Sequence, residues 1–589
     1  MRRLPLAALA VCAAACAHHA SIARDLTTVS ERSGWTATGR HDEVVRLCHD
    51  FATAYPAFAR CEEFGTSGTG RAMVALVLSH HGFDPAADAR AHRPVLLIEA
   101  GIHAGEIEGK DAGLWLARDL VTGAALPGVL DHVTVVFVPI FNVDGHERFG
   151  ANNRPNQRGP VEMGFRTTAT ALNLNRDWVK VDAPEMVAML GLWRRWDPTV
   201  FVDLHTTDGA KFQHDVAVLV APRTGRGDAL EQAGVALEQR LIDGVTSRGH
   251  LPLAFYPSFD VDDDPASGFS DGEAPPRFSH FYAATRNRLG ILVETHSWRT
   301  YVERVKTTRD VLETLLADAV DHGRSWRDAE AAADVADAGV AGREVALLSR
   351  ADPAAARTID FLGYHYERVP SEVSGGTWTR YDETRPEVWH VPLHDHLVPV
   401  LTVEAPGAGY LVDGGWASLV ASRLDAHGLR YQPIADGTTV DAQTWRLDRF
   451  ATDRTFEGRT TAKITGGWAP ERRALVHGAI FVPVAQPGAR LVMHLLEPSA
   501  PDALVAWGLF NAAFEQKEYM ESYVAEELAR TMLADPAVAA AFAEALKDPT
   551  FAADPSARLD WFYRRSPAWD ERMGLIPVYR VDAPPPLAR

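Results

Sequence analysis

Short apolar runs rich in β-branched residues recur through the first half of the chain. They are PVLLIEA (94–100), VTVVFVP (133–139), TVFVDLH (199–205), VAVLVAP (216–222) and GILVET (290–295). Between them, GKDAGLWLARDLV and PEMVAMLGLWRRW place apolar residues three or four apart, the spacing of a helix with one buried face. Upstream, HDEVVRLCHDFATAYP predicts a helix ended by Pro56, and GTSGTGRAMVALVLS predicts a glycine-rich turn and a strand. Strands apolar on both faces, separated by amphipathic helices, predict an α/β fold. The expected form is a mostly parallel mixed sheet sandwiched by helices. The alanine-rich segment DAEAAADVADAGVAG closes this unit near residue 335.

From Arg343 onward the pattern changes. Alternating runs such as VWHVPLHDHLVPVLTVEAP and GAIFVPVAQPGARLVMHLLEP, broken by turn residues, predict a β-rich α+β domain. APDALVAWGLFNAAFEQKEYMESYVAEELARTMLAD and PAVAAAFAEAL predict a helical tail. The expected division is a leader over 1–23, an α/β unit over 37–335 and a β-rich and helical region over 343–589. No motif assigns that last region a role.

Composition narrows the class. With 46% hydrophobic and 23% charged residues, a disordered or collagen-like chain is excluded. The formal charge of −19, without a basic stripe, argues against nucleic acid as a partner. The start, MRRLPLAALAVCAAACAHHA, has two arginines, an apolar stretch and small residues after it, which is the order of a signal peptide. The apolar stretch is shorter than the ~20 residues that cross a bilayer, and no later one is long enough. Cleavage after Ala17 or Ala23 predicts an exported protein, periplasmic or secreted. Lipidation at Cys16 is the alternative, although the usual leucine three residues before it is missing. In an exported chain Cys48 and Cys61 can form a disulfide. Cys48 also shares a helical face with Val44 and Phe51, where a free thiol packs as a small hydrophobe, and spacing leaves both options open.

Ligands of such sheets bind beyond the carboxyl ends of the strands. PVLLIEA runs into GIHAGEIEG, placing His103 and Glu106 in the turn after a strand; His205 and Glu294 end two later strands. Two histidines and a carboxylate form a zinc set that leaves a position for water. Each residue alone is weak: HxxE is common by chance, and a strand-end histidine is more often structural. The segments between them add weight, with FNVDGHERFG after the second strand and ALNLNRDW about 30 residues later.

Taken in order, His103-Ala-Gly-Glu106, Asn142-Val-Asp144-Gly145, Asn173-Leu-Asn175-Arg176, His205 and Glu294 resemble the zinc carboxypeptidases of the carboxypeptidase A type. The resemblance covers about residues 40 to 330. It implies one zinc ion held by His103, Glu106 and His205, with Glu294 as general base. It also implies an arginine for the developing oxyanion, matched by Arg158 with Arg154 as second choice. Asn175 and Arg176 would grip a terminal carboxylate, for which an arginine fork is suited. Two tyrosines compete for the family's mobile tyrosine, Tyr282 first and Tyr256 second. Asn173 stands where the family has an aspartate behind the first zinc histidine, so that ligand should be less basic. Gly105 stands in place of an arginine of the digestive members.

Glu404 also ends an apolar run, but far from the other motifs, and His394 and His396 offer an HxH without a carboxylate to complete a metal set. The resemblance thus implies a zinc metallopeptidase of peptides, a metallocarboxypeptidase first. A cell-wall peptide amidase or a deacylase of amino-acid conjugates is the second reading, and a non-catalytic peptide-binding protein the third.

Overall fold

The structure, a computed structural model, describes residues 26–588 apart from 208 and 226; the expected leader, with Cys12 and Cys16, lies outside the described residues. The first half builds one eight-stranded mixed sheet. Its strands are β1 (Ala59–Thr66), β2 (Ala72–Leu78), β3 (Val95–Ala100), β4 (Thr134–Val138), β5 (Val200–Thr207), β6 (Val216–Ala221) and β7 (Pro252–Leu253). After β8 (Phe269–Ser270), which joins another sheet, β9 (Leu289–His296) completes it in the order β1-β2-β4-β3-β5-β9-β6-β7. The centre, β4-β3-β5-β9, is parallel. These four strands are buried along their whole length, which explains their unbroken apolar sequence.

The helices of this half include α1 (His41–Ala54), α2 (Glu108–Thr122), α3 (Pro184–Trp196), α4 (Ala229–Ser247), α5 (Ser279–Thr285) and α6 (Tyr301–Asp337), with further short ones between them. Their ends follow local chemistry. Gly123 stops α2 in the left-handed region at φ 74°, and proline opens α3 in its first turn. Thr300 and Glu303 form a capping box at the start of α6. The alanine-rich segment near 335 is the last stretch of this 37-residue helix, as the helix propensity of alanine favours. Cys48 and Cys61 are bonded, fastening α1 to β1.

The second half holds three sheets. β10 (Glu344–Ala351) pairs with a later strand, β13; the long hairpin of β11 (Arg357–Pro370) and β12 (Thr377–His394) takes β8 along its edge. The order of the third sheet is β15-β18-β14-β19-β16-β17. Its members, with β13 (Leu397–Glu404) before them, are β14 (Gly409–Val412), β15 (Gln432–Pro433), β16 (Thr439–Phe456), β17 (Arg459–Ala474), β18 (Ile480–Pro483) and β19 (Leu575–Val581). α7 (Gly414–His427) and α8 (Ala489–Leu496) pack beside it. The helical tail begins later than its sequence suggests, at Ser522. Residues 500–521 are turns and irregular backbone with one 3-10 segment, Asn511–Phe514, and within them Gly508 (φ 76°) presses against the Thr460 carbonyl where no side chain fits. After the tail the chain returns as β19, a strand with no counterpart in the sequence reading.

One hydrophobic core runs through both halves. Trp178, Trp193 and Tyr282 belong to the same buried cluster as Val412, Leu424, Val482 and Trp507. Among the described residues no helix is long and apolar enough to cross a membrane.

Candidate active site

The carboxyl ends of β3, β5 and β9 lie side by side. Gly101 (φ 68°) reverses the chain after β3, so His103 and Glu106 fold back over the strand ends before α2 begins. His205 and Glu294 sit directly opposite one another in the β5–β9 register. His103, His205 and Glu294 line one cavity of about 290 Å³.

His103, Glu106 and His205 form a buried group whose ligand atoms all lie within 4.8 Å of one another. The Glu106 carboxylate meets Nδ1 of His103 at 3.1 Å and Nδ1 of His205 at 2.9 Å. The outer nitrogens are held from behind. Nε2 of His103 meets Asn173 Oδ1 at 3.2 Å, and Nε2 of His205 meets Asp203 Oδ2 at 2.6 Å. With the outer nitrogens engaged, both Nδ1 atoms face the carboxylate, the usual arrangement behind a metal-binding imidazole. Two ring nitrogens and one carboxylate, with both histidines on the wall of the cavity, fit a zinc ion with a remaining position.

The two imidazoles differ electrostatically. Burial lowers His103 to about 4, with Glu106 offsetting only part, so this ring is neutral as a ligand must be. Burial also opposes charge on His205, but Asp203 and Glu294 outweigh it and hold that ring well above the usual histidine value. Glu106 sits well below the carboxylate range: burial pushes it up, and Arg154 with His103 more than compensates.

The other end of the cavity is cationic. Asn173 caps the short 3-10 turn Leu174–Arg176, its Oδ1 accepting from the Asn175 N–H at 2.9 Å. Asn175 Oδ1 accepts from the Ser279 N–H at 3.0 Å, and its Nδ2 lies 3.4 Å from His205 Nε2. Arg176 donates to the Asn175 carbonyl at 2.6 Å and stacks on Phe278 at 4.0 Å. Burial, then Arg166 and Arg277, lower Arg176 to about 10 against a smaller opposing pull from Glu457, so positive charge gathers at this end of the cavity and favours an anion. Leu219, Leu292, Phe281 and Ala274 give the cavity an apolar wall.

Two expected residues lie elsewhere. Arg158 is outside the cavity: Glu383 on β12 takes its guanidinium through both carboxylate oxygens at 2.9 Å, over the Trp298 ring. Arg166 lines the cavity instead, 3.7 Å from Glu106, and Arg154 is buried 2.9 Å from the same oxygen. Tyr282 is fully buried on α5, its hydroxyl 3.0 Å from His427 Nδ1 and its ring beside Trp178. Phe278 and Phe281 face the cavity from that segment, and Tyr282 points to the core. The tyrosine of the cavity is Tyr256, whose hydroxyl lies 3.4 Å from Thr207 Oγ1.

The remaining motifs support the frame. Asn142 accepts from the Gly145 N–H at 3.0 Å and donates to the Arg166 carbonyl at 3.1 Å, holding the loop that carries Arg166. Asp144 accepts from Ser67, Thr69 and Arg71. A Cβ on Gly105 would stand 2.6 Å from both Arg154 Cγ and the Gly164 carbonyl, so no side chain fits there. Glu404 is exposed and pairs with Glu344 across β10–β13. His394 and His396 belong to no metal-binding group among the described residues. Two site residues escaped the sequence reading. Asp203 had a signal, since two residues before His205 on a strand is the same face; Arg166 had none.

Residues 44–210 match the model of the zinc carboxypeptidase family, a stretch that includes both histidines, Glu106, Asn175 and Arg176 and ends before Glu294. Carboxypeptidase B of Astacus astacus is 28% identical over 145 residues, 24% of this chain and 45% of the relative. Carboxypeptidase A6 of Mus musculus is 26% identical over 147 residues, 23% of this chain and 30% of the relative. The chain thus spans less than half the length of these curated relatives. Similar solved structures include a metallo-carboxypeptidase from Pseudomonas aeruginosa in complex with (2-guanidinoethylmercapto)succinic acid, at 19% identity and a TM-score of 0.35, covering 48% of this chain and 69% of that one. Carboxypeptidase A from Helicoverpa armigera aligns at 15% identity and a TM-score of 0.36, covering 50% and 74%.

Proposed function

We propose, from the match of residues 44–210 to the model of the zinc carboxypeptidase family, that this protein is an exported zinc metallopeptidase that releases residues from the C-termini of peptides. One observation carries the reading: a single cavity joins the His103–His205 pair and Glu294 to the cationic end formed by Asn175, Arg176 and Arg166.

His103, Glu106 and His205 would hold one zinc ion, which when bound polarises the scissile carbonyl and acidifies a water. Arg176 and Asn175 bind the terminal carboxylate, fixing the last peptide bond over the strand ends. Glu294 accepts the proton of the attacking water and delivers it to the departing amine. Arg166 faces the same cavity and supplies positive charge for the carbonyl oxygen as it becomes negative. The apolar wall of Leu219, Leu292 and Phe281 receives the side chain of the released residue. The leader and the Cys48–Cys61 bond support action outside the cytoplasm, free or anchored at Cys16.

A second reading, hydrolysis of cell-wall peptides, is favoured by a groove of about 600 Å³ that meets the first cavity at Ser258. Trp298 and Phe259 of the first half and Trp378 and Tyr381 of β12 line it, leaving room for a bulky group upstream of the cleaved bond. The test is metal analysis of the purified protein, then mass spectrometry after incubation with free peptides, their C-terminal amides and muropeptides. One zinc per chain and stepwise loss of C-terminal residues from the free peptides alone is the expected outcome. Cleavage confined to muropeptides selects the second reading; bound zinc without hydrolysis selects a non-catalytic peptide binder.

A further inference from the structure

The tip of the β16–β17 hairpin reaches the site from the second half of the chain. Phe456 pairs with Arg459, so Glu457 and Gly458 form a two-residue loop, with φ of 48° and 76°. Two positive φ values in a two-residue hairpin are the signature of a type I′ turn, in which Asn-Gly is the favoured pair. Gly458 fits both the backbone and the close approach of Leu172, whose Cδ2 lies 3.2 Å from where a Cβ would stand. Glutamate at the first position is the anomaly, since a side chain of its kind rarely adopts this conformation.

The half-buried Glu457 carboxylate accepts from the backbone N–H of Asn173 at 2.7 Å, across 284 residues of sequence. Asn173 in turn holds His103 through its side chain and caps the turn that presents Asn175 and Arg176. Glu457 is also a negative charge acting on Arg176, against Arg166 and Arg277. We propose that Glu457 is a positioning residue: it fixes the Asn173–Arg176 turn and so sets how tightly the site grips a terminal carboxylate. The second half of the chain therefore completes the site of the first, and this inference rests on the carboxypeptidase reading.

Other contacts keep the hairpin docked without Glu457. Arg459 Nε donates to Asp182 Oδ2 at 2.9 Å, and Phe456 stacks on Trp507 at 5.8 Å. Glu457→Asn relieves the turn but is one methylene too short to reach the Asn173 N–H. Glu457→Gln keeps the reach and the acceptor oxygen while losing the charge.

The experiment measures KM, kcat and unfolding temperature of the zinc-loaded protein. It also measures the ratio of affinities for an N-acetylated dipeptide and its C-terminal amide. For Glu457→Asn the expected result is an unfolding temperature at or above wild type, with KM raised about tenfold and the affinity ratio lowered to match, the scale of one charge-assisted hydrogen bond. kcat should stay within about twofold, and Glu457→Gln should recover part of the loss. An unchanged ratio in Glu457→Asn overturns the proposal, as does a common fall of unfolding temperature, kcat and affinity. Arg176→Ala separates the two levels. If it abolishes the preference for the free acid while Glu457→Asn does not, the positioning role alone fails; if it leaves the preference intact, the carboxylate-grip reading fails and takes the proposal with it.

Discussion

Two regions meet in the cavity, and they are held in different ways. The strand ends that carry His103, Glu106, His205 and Glu294 are fixed by the parallel ladders β3–β5–β9, every residue of which is buried. The loop from 150 to 182, which carries the arginines, contains no strand of the main sheet. Its shape depends on partners far along the chain: Glu383 for Arg158, Glu457 for Asn173 and Arg459 for Asp182. A metal set on strand ends inherits the rigidity of the sheet. A substrate grip on a loop is only as fixed as the distant residues that brace it.

The same difference decided what could be read from the sequence. An apolar β-branched run locates a buried strand and puts its last residues near the carboxyl end, although β5 and β9 run on to Thr207 and His296, two residues past His205 and Glu294. That is why His205 and Glu294 could each be placed near a strand end from the sequence, while their pairing across β5 and β9 is visible only in the fold. Arg158 was matched through the resemblance alone, and a resemblance in order says nothing about a loop whose side chains are captured by another part of the molecule. Arg166 follows a glycine and a phenylalanine, with no local pattern to mark it. Tyr282 failed for a related reason. A short helix shows one face to the cavity and another to the core, and α5 is buried on every residue, so hydrophobic periodicity could not separate the two. In the second half, β19 was missed because its partners β14 and β16 lie more than 100 residues away in sequence.

The largest effect should come from the strand-end region. Glu294→Gln should lower kcat by about 10²–10⁴-fold, the usual weight of a general base, while zinc content stays at the wild-type level. Glu294 lies outside the buried metal group, so the metal and the proton acceptor can be separated in this way. Turnover near wild type with zinc bound would remove the strand-end base and leave the cavity without an assigned proton acceptor.

The loop region gives the next contrast. Arg166→Ala should lower kcat/KM by about 10²–10³-fold if it supplies charge to the developing oxyanion. Arg158→Ala should change it by less than about threefold, since an exposed ion pair contributes roughly 0–1 kcal/mol. The Arg158 side chain is 45% exposed in its pair with Glu383, which makes this a demanding comparison. The opposite ranking in steady-state kinetics would mean that Arg158 leaves Glu383 when substrate binds, and that the loop rearranges.

The finest test lies within the metal set, where the two regions touch. His205 is backed by the Asp203 carboxylate on its own strand, His103 by the Asn173 amide on the loop. A carboxylate behind an imidazole raises its basicity and its hold on a metal; an amide orients the ring without adding charge. Asp203→Asn should therefore weaken zinc binding by about 10–100-fold in a chelator competition. Asn173→Asp should strengthen it, by up to about tenfold, because the new carboxylate faces the same Nε2 at the same distance. The gain is the smaller of the two, since Glu457 already places a carboxylate against the Asn173 backbone and a second negative group there meets repulsion. Zinc affinity unchanged in Asn173→Asp but lost in Asp203→Asn would show that the sheet alone sets the strength of the metal site and that the loop serves the substrate.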